Sequence, residues 1–158
     1  MKVFVVFLAF MMVFVSFMCY SSDMARYADM QRMLKLAAED CAAAGALASD
    51  PEAYGRGKLA IDEDEAIGMG FEVMDAAALM PLFRRGTLSM DMKIYDGEKG
   101  YEGCEAYGLA QGMPSVVCTL EYTGADIFRL PFLQLRSLSR TAAYSWDDRT
   151  SGMIRTKL

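Results

Sequence analysis

Residues Val3 to Tyr20 read VFVVFLAFMMVFVSFMCY, eighteen positions without a charge, a proline or a glycine, preceded only by Met1 and Lys2. As a helix this run is about 27 Å long at roughly 1.5 Å per residue, close to the roughly 30 Å hydrocarbon core of a bilayer. No small soluble fold accommodates such a segment easily, so residues 1–21 are expected to be a transmembrane anchor and residues 22–158 an α+β domain carried on it. The competing reading is a cleaved secretory signal, whose apolar core is shorter, about 7 to 15 residues, and ends in small residues. Here cleavage would place Cys19 and Ser21 at the two small-residue positions with the bulky Tyr20 between them. A lipoprotein signal is disfavoured because Met18 stands where a small residue should precede Cys19.

Charge next to the anchor sets its direction. Lys2 lies before it, whereas Asp23, Arg26, Asp29 and Arg32 follow as a mixed set. The positive-inside rule then favours a cytoplasmic N-terminus, with the C-terminal domain outside the cytoplasm as a single-pass protein of the cell membrane. The formal net charge of −5 argues against a nucleic-acid partner, which needs clustered Lys and Arg.

Chemistry is constrained most by the absence of histidine, which removes Ser-His and Cys-His nucleophiles and the commonest metal ligand. The remaining enzyme candidates, scattered carboxylates and the thiols of Cys104 or Cys118, have no histidine base to activate them. No catalytic residue, metal site, cofactor or small-molecule substrate is expected. Of the four cysteines, Cys19 sits at the membrane edge and Cys41 in an alanine-rich helical run, where a small buried apolar role is expected. Cys104 and Cys118 flank a glycine-containing loop and are the candidate disulfide in an oxidising compartment.

Beyond the anchor, SSDMARYADMQRMLKLAAEDCAAAGAL is rich in strong helix formers. Tyr27, Met30, Leu34, Ala37, Cys41 and Ala44 recur at steps of three and four, which predicts an amphipathic helix. Nothing between Tyr20 and Asp23 forces a break, so one helix of about 65 to 70 Å can run from Val3 to Leu47. Ser49, Asp50 and Pro51 end it, and a loop follows. The acidic run Asp62, Glu63, Asp64 and Glu65 suits the N-terminus of a second helix, where the macrodipole favours negative charge, better than it suits a calcium loop. That helix is expected over Glu63 to Met80, burying Ile67, Phe71, Met74, Ala78 and Leu79 or Leu82. Alternation in Leu88, Met90, Met92 and Ile94 predicts a strand ended by a turn at Asp96 and Gly97, and a glycine-bearing loop follows. Val116, Cys118, Leu120 and Tyr122 predict a second strand, and Leu138 to Trp146 a third. Between the last two, Ile127, Phe128, Leu130, Phe132, Leu133 and Leu135 flank Pro131 and either cover the core or form an apolar patch for a partner. Three strands alone are unstable in water and must pack on the long helix.

This plan resembles the pilins and pseudopilins, and within them the TadE-like and TadG-like minor pseudopilins of tight-adherence pili. The resemblance rests on MQRMLKLAAEDCAAAGAL and on VVCTLEYTGADIFRLPFLQLRSLSRTAAYSW. It implies a pilin-like fold and a non-enzymatic subunit that assists assembly, priming or anchoring of a type IV pilus, in or at the base of the filament. The implied partners are other pilin-like subunits or the assembly machinery. The chain departs from those families in having no glycine and no acidic residue before Asp23. Packing in a filament would therefore rest on helix contacts through Phe4, Phe7, Met11, Phe14 and Met18. Phe128, Leu130, Phe132 and Leu133 are the candidate partner contacts. The alternative is a membrane-anchored extracytoplasmic binding or scaffold domain unrelated to pili.

Overall fold

The computed structural model describes residues 2–124, 127–128 and 135–146. Helix α1 runs from Lys2 to Ala46 without interruption, 45 residues or about 67 Å. A short helix α2 covers Pro51–Gly55 and α3 covers Glu63–Ala78. Strands β1 (Gly86–Tyr95), β2 (Ser115–Gly124) and β3 (Ser137–Ser145) form an antiparallel sheet in the order β1-β2-β3. The architecture is thus α+β, with one long apolar N-terminal helix, shorter helices and a three-stranded sheet. Helix α1 passes unbroken through residue 21, as the absence of a helix breaker there predicts.

The helix ends are set by local chemistry. Asp50 caps α2, its carboxylate accepting from the amides of Glu52 at 2.8 Å and Ala53 at 3.2 Å. Pro51 opens that helix where a missing N–H costs nothing. A helix thus replaces the first part of the expected loop. Asp62 caps α3 by accepting from the Glu65 amide at 3.1 Å, with Glu63, Asp64 and Glu65 in the first turn. Those carboxylates lie where the helix dipole favours them.

Helix α1 packs on α3, β2 and β3. Its buried positions begin at Asp23 and continue as Met30, Leu34, Ala37, Ala38, Cys41, Ala42, Gly45 and Ala46. Against them lie Met74, Ala77, Phe83, Cys118, Leu120, Tyr122, Ile127, Leu138 and Ala142. Central strand β2 buries Val116, Cys118, Leu120 and Tyr122 as its alternation predicts, and Val117 as well. The predicted inner face of edge strand β1 is only half-buried at Leu88, Met90, Met92 and Ile94.

The expected buried stripe of α3 is corrected by about one residue. Ala66, Gly70, Met74 and Ala77 face the core, while Phe71 and Leu79 are exposed. Small residues win this face because the thioethers of β1 come close. A Cβ on Gly70 would lie 2.5 Å from Met92 Cε and 3.1 Å from Met90 Sδ. The same Met92 reaches α1, where a Cβ on Gly45 would lie 3.0 Å from its Sδ.

Two polar ties close the head. The Trp146 indole donates from Nε1 to the Ala46 carbonyl at 2.7 Å, joining the residue after β3 to the last turn of α1. That bond occupies a carbonyl with no partner inside the helix. Buried Asp96 accepts from the amides of Glu98 (2.9 Å), Lys99 (2.7 Å) and Ile61 (3.2 Å), fixing the turn after β1 to the segment before α3.

Candidate functional site

The first half of α1 is a continuous exposed apolar surface. Every residue from Lys2 to Ser22 is exposed, and the helix is long and apolar enough over this stretch to cross a membrane. Phe4, Phe7, Met11, Phe14 and Met18 follow one another at steps of three and four on an unbroken helix, so they line one side of it, each at least 48% exposed. This is the alternating spacing that lets two helices interlock side chains along a seam. Ser16, the one hydroxylated residue between Val3 and Cys19, donates to the Met12 carbonyl at 2.8 Å. That internal bond removes the cost of leaving a hydroxyl unpaired in hydrocarbon.

The change from exposed to buried falls at Asp23, which is 4% exposed. From there one face of the helix is committed to the head, and the outer face carries polar groups such as the Lys35–Glu39 pair at 3.8 Å. A single rigid element therefore joins the apolar segment to the folded domain.

The crossover between β2 and β3 is partly visible. Ile127 is buried, and half-buried Phe128 lies against Tyr27 of α1 with ring centroids 5.2 Å apart. At these two residues the crossover covers the core. Leu130, Phe132 and Leu133, the other candidate partner contacts, lie outside the described residues.

The expected Cys104–Cys118 bond is not formed; both are free thiols. Cys104 lies in a short 3-10 turn, Cys104–Tyr107, with its Sγ 3.9 Å from the Leu109 carbonyl. Cys118 points from β2 into the core, where its hydrogen-bonding neighbour is the thiol of Cys41 on α1. That bond, with burial, pushes the Cys118 thiol well above its ordinary range. Cys41 also donates to the Gly70 carbonyl at 3.5 Å. No sequence spacing points to this pair, although the smallness of Ala37, Ala38 and Ala42 around Cys41 already marks a face made for close approach.

Among the described residues no three His, Cys, Asp or Glu side chains come together as a metal-binding group. Glu63, at the start of α3, pairs with Lys99. Glu98 lies 3.7 Å from Arg56 and 3.6 Å from Lys58. These ion pairs are exposed ties between loops and contribute little stability each. What the arrangement offers chemically is an apolar helical surface set on a compact head. Comparison with family models, curated proteins and solved structures returned no match to this chain.

Proposed function

We propose that this chain is a non-enzymatic, membrane-anchored subunit of pilin-like plan. In this reading residues 3–20 span the membrane, the head lies outside the cytoplasm, and the anchor engages the helices of neighbouring subunits. The assembly served is a type IV pilus of the tight-adherence kind, in which the chain primes, anchors or completes the filament. The observation that carries the reading is the continuity of α1. One helix supplies an entirely exposed apolar half and then the buried spine of an α+β head.

Continuity matters physically because a helix transmits position and force, whereas a flexible linker does not. An anchor that only tethers a domain to a membrane has no need of such a joint. In a filament, by contrast, the apolar halves pack side by side and the joint fixes where each head sits. The seam from Phe4 to Met18 supplies side chains for that packing, and no acidic residue in the anchor is required.

The test places a photo-crosslinking phenylalanine analogue at Phe7 and Phe14, with a head position such as Phe71 as control, in cells making the native assembly. Crosslinks from the anchor sites to a second copy or to another single-span subunit are expected. Replacing residues 3–20 with an unrelated apolar helix should then abolish assembly. Absence of such crosslinks, together with full function of the replaced-anchor protein, would favour a membrane-anchored scaffold and overturn the subunit reading.

A further inference from the structure

Strand β2 runs along α1 toward its apolar half. Val116, near the start of β2, packs with Ala46 at the end of α1, whereas Phe128, just past the end of β2, lies against Tyr27. Gly124 therefore marks the end of the sheet that faces the apolar half. Two other segments meet it there. Gly86, which opens β1, pairs with Gly124, and the Arg136 carbonyl accepts from the Gly124 amide at 3.0 Å. Helix α3 runs in the same sense, from Ala66 in the cluster with Ala46 to Ala77 in the cluster with Met30. The turn between α3 and β1 then folds around buried Phe83, whose ring is 5.4 Å from that of Tyr122.

This end of the head exposes bulky apolar and cationic side chains together. Leu79, 78% exposed, and Met80 follow α3, and exposed Arg84 and Arg85 precede β1. Leu135 and Arg136, also exposed, precede β3. Among the described residues none of the three arginines has an ion-pair partner. Asp75, one turn before Leu79, is the closest preceding carboxylate on α3. The opposite end of the head is acidic. Asp62, Glu63, Asp64 and Glu65 start α3 there, and Glu98, Glu102 and Glu105 follow β1. Its cations Arg56, Lys58 and Lys99 are paired with Glu98 and Glu63.

From this polarity we infer that the head docks on the surface of an anionic phospholipid bilayer, with Arg84, Arg85 and Arg136 against lipid phosphates and Leu79 and Met80 in the headgroup layer. The inference rests on the reading of residues 3–20 as a span, because the span fixes where that surface lies. Tyr27 follows Tyr20 by seven residues, about 10 Å of helix, and the headgroup layer fills about 5 to 7 Å of that. The rest is shorter than a Debye length of about 8 to 10 Å. The planar guanidinium fork matches phosphate. A basic surface alone would suit any polyanion, whereas one with protruding apolar side chains binds a lipid interface through both terms. The acidic end of the head points away from the same surface.

The test reads depth in a bilayer of known charge. Full-length Leu79→Trp protein is reconstituted in vesicles of equimolar phosphatidylcholine and phosphatidylglycerol, the former brominated near the carbonyl end of its chains. Bromine should quench most of the introduced emission. It should spare wild type, whose one tryptophan, Trp146, is bonded to Ala46 at the far end of the head, and an indole introduced by Phe71→Trp, two turns higher on α3. Adding Arg85→Gln should lower the ratio of docked to free head, read from the quenched fraction, by about fivefold. Phosphatidylcholine alone, or Arg84→Gln, Arg85→Gln and Arg136→Gln together, should remove most of the quenching. No quenching in the mixed vesicles, or quenching that survives loss of the lipid charge or of the three arginines, would overturn the docking. Carbonate extraction of the same vesicles tests the span independently. Protein that stays in the vesicles unquenched overturns the docking and leaves the span standing, and protein released by carbonate refutes the span and the docking with it.

Discussion

The two halves of α1 are built from the same backbone and share no break, yet they solve opposite problems. Residues 3–20 are apolar on every side and wholly exposed. From Asp23 on, only one face is buried; it holds Met30 and Leu34 and then narrows to small residues, Ala37, Ala38, Cys41, Ala42, Gly45 and Ala46. The first half carries bulk where a protein core could not hold it, as Phe4, Phe7, Phe10, Phe14 and Phe17. The second removes bulk so that a sheet and a second helix can approach. The surroundings of a helix are thus written in its side-chain size as well as in its polarity. A lipid-facing surface can carry large groups in all directions, whereas a core-facing stripe must match its neighbours.

Substituting charge into each half should break this comparison most sharply. Ala38→Asp puts an unpaired carboxylate at a site with no solvent exposure. It should cost several kcal/mol, enough to unfold the head, as read by circular dichroism and limited proteolysis. Val13→Arg, in the middle of the apolar half, should leave the head's melting temperature in detergent unchanged. It should add roughly 2.5 to 3.5 kcal/mol to the cost of membrane insertion, seen as protein lost from the carbonate-resistant membrane fraction.

Volume gives the next contrast. Leu34→Ala should destabilise the head by about 2 to 5 kcal/mol in denaturant titrations, because the fully buried site loses three carbons and gains a cavity. Phe14→Ala should leave that titration unmoved, since Phe14 touches no part of the core and is 60% exposed. At Gly70 the direction reverses. Gly70→Leu should cost about 1 to 3 kcal/mol by overpacking Met90 and Met92. Gly70→Ala should be close to neutral, because a thioether end can swing away and the helix gains about 1 kcal/mol of propensity. The smallest expected effect is Trp146→Phe, which keeps an aromatic ring, though a smaller one, and loses the bond to the Ala46 carbonyl. A loss of about 1 kcal/mol is expected, with faster amide exchange confined to the last turn of α1.

Much of this fold was legible in the chain because its signals are local. The unbroken α1 follows from a stretch without proline or glycine before Gly45, and β1 and β2 follow from strict alternation. The acidic start of α3 was read correctly as a cap. What was not legible depends on partners far away in sequence. Phe71 and Leu79 are expected on the inner face of α3 because bulk and apolarity usually mark a core, yet both are exposed. The buried face is Ala66, Gly70, Met74 and Ala77, with Met90 and Met92 of β1 close over Gly70, and that selection is invisible until β1 is in place. Likewise the short loop from Cys104 to Cys118 suggested a bond, whereas Cys118 turns inward to Cys41 on a helix that only the tertiary fold brings near. Of the candidate assembly seam, both the spacing of Phe4 to Met18 and the unbroken helix that carries it to the head are readable in the chain.

A permanent membrane span continuous with the head requires that the apolar half of α1 be retained in the mature protein. The most direct measurement is the intact mass of the protein extracted from native membranes. The expected mass includes residues 3–20. A mature protein that instead begins near Ser22 or Asp23, recovered in the soluble fraction, would contradict it.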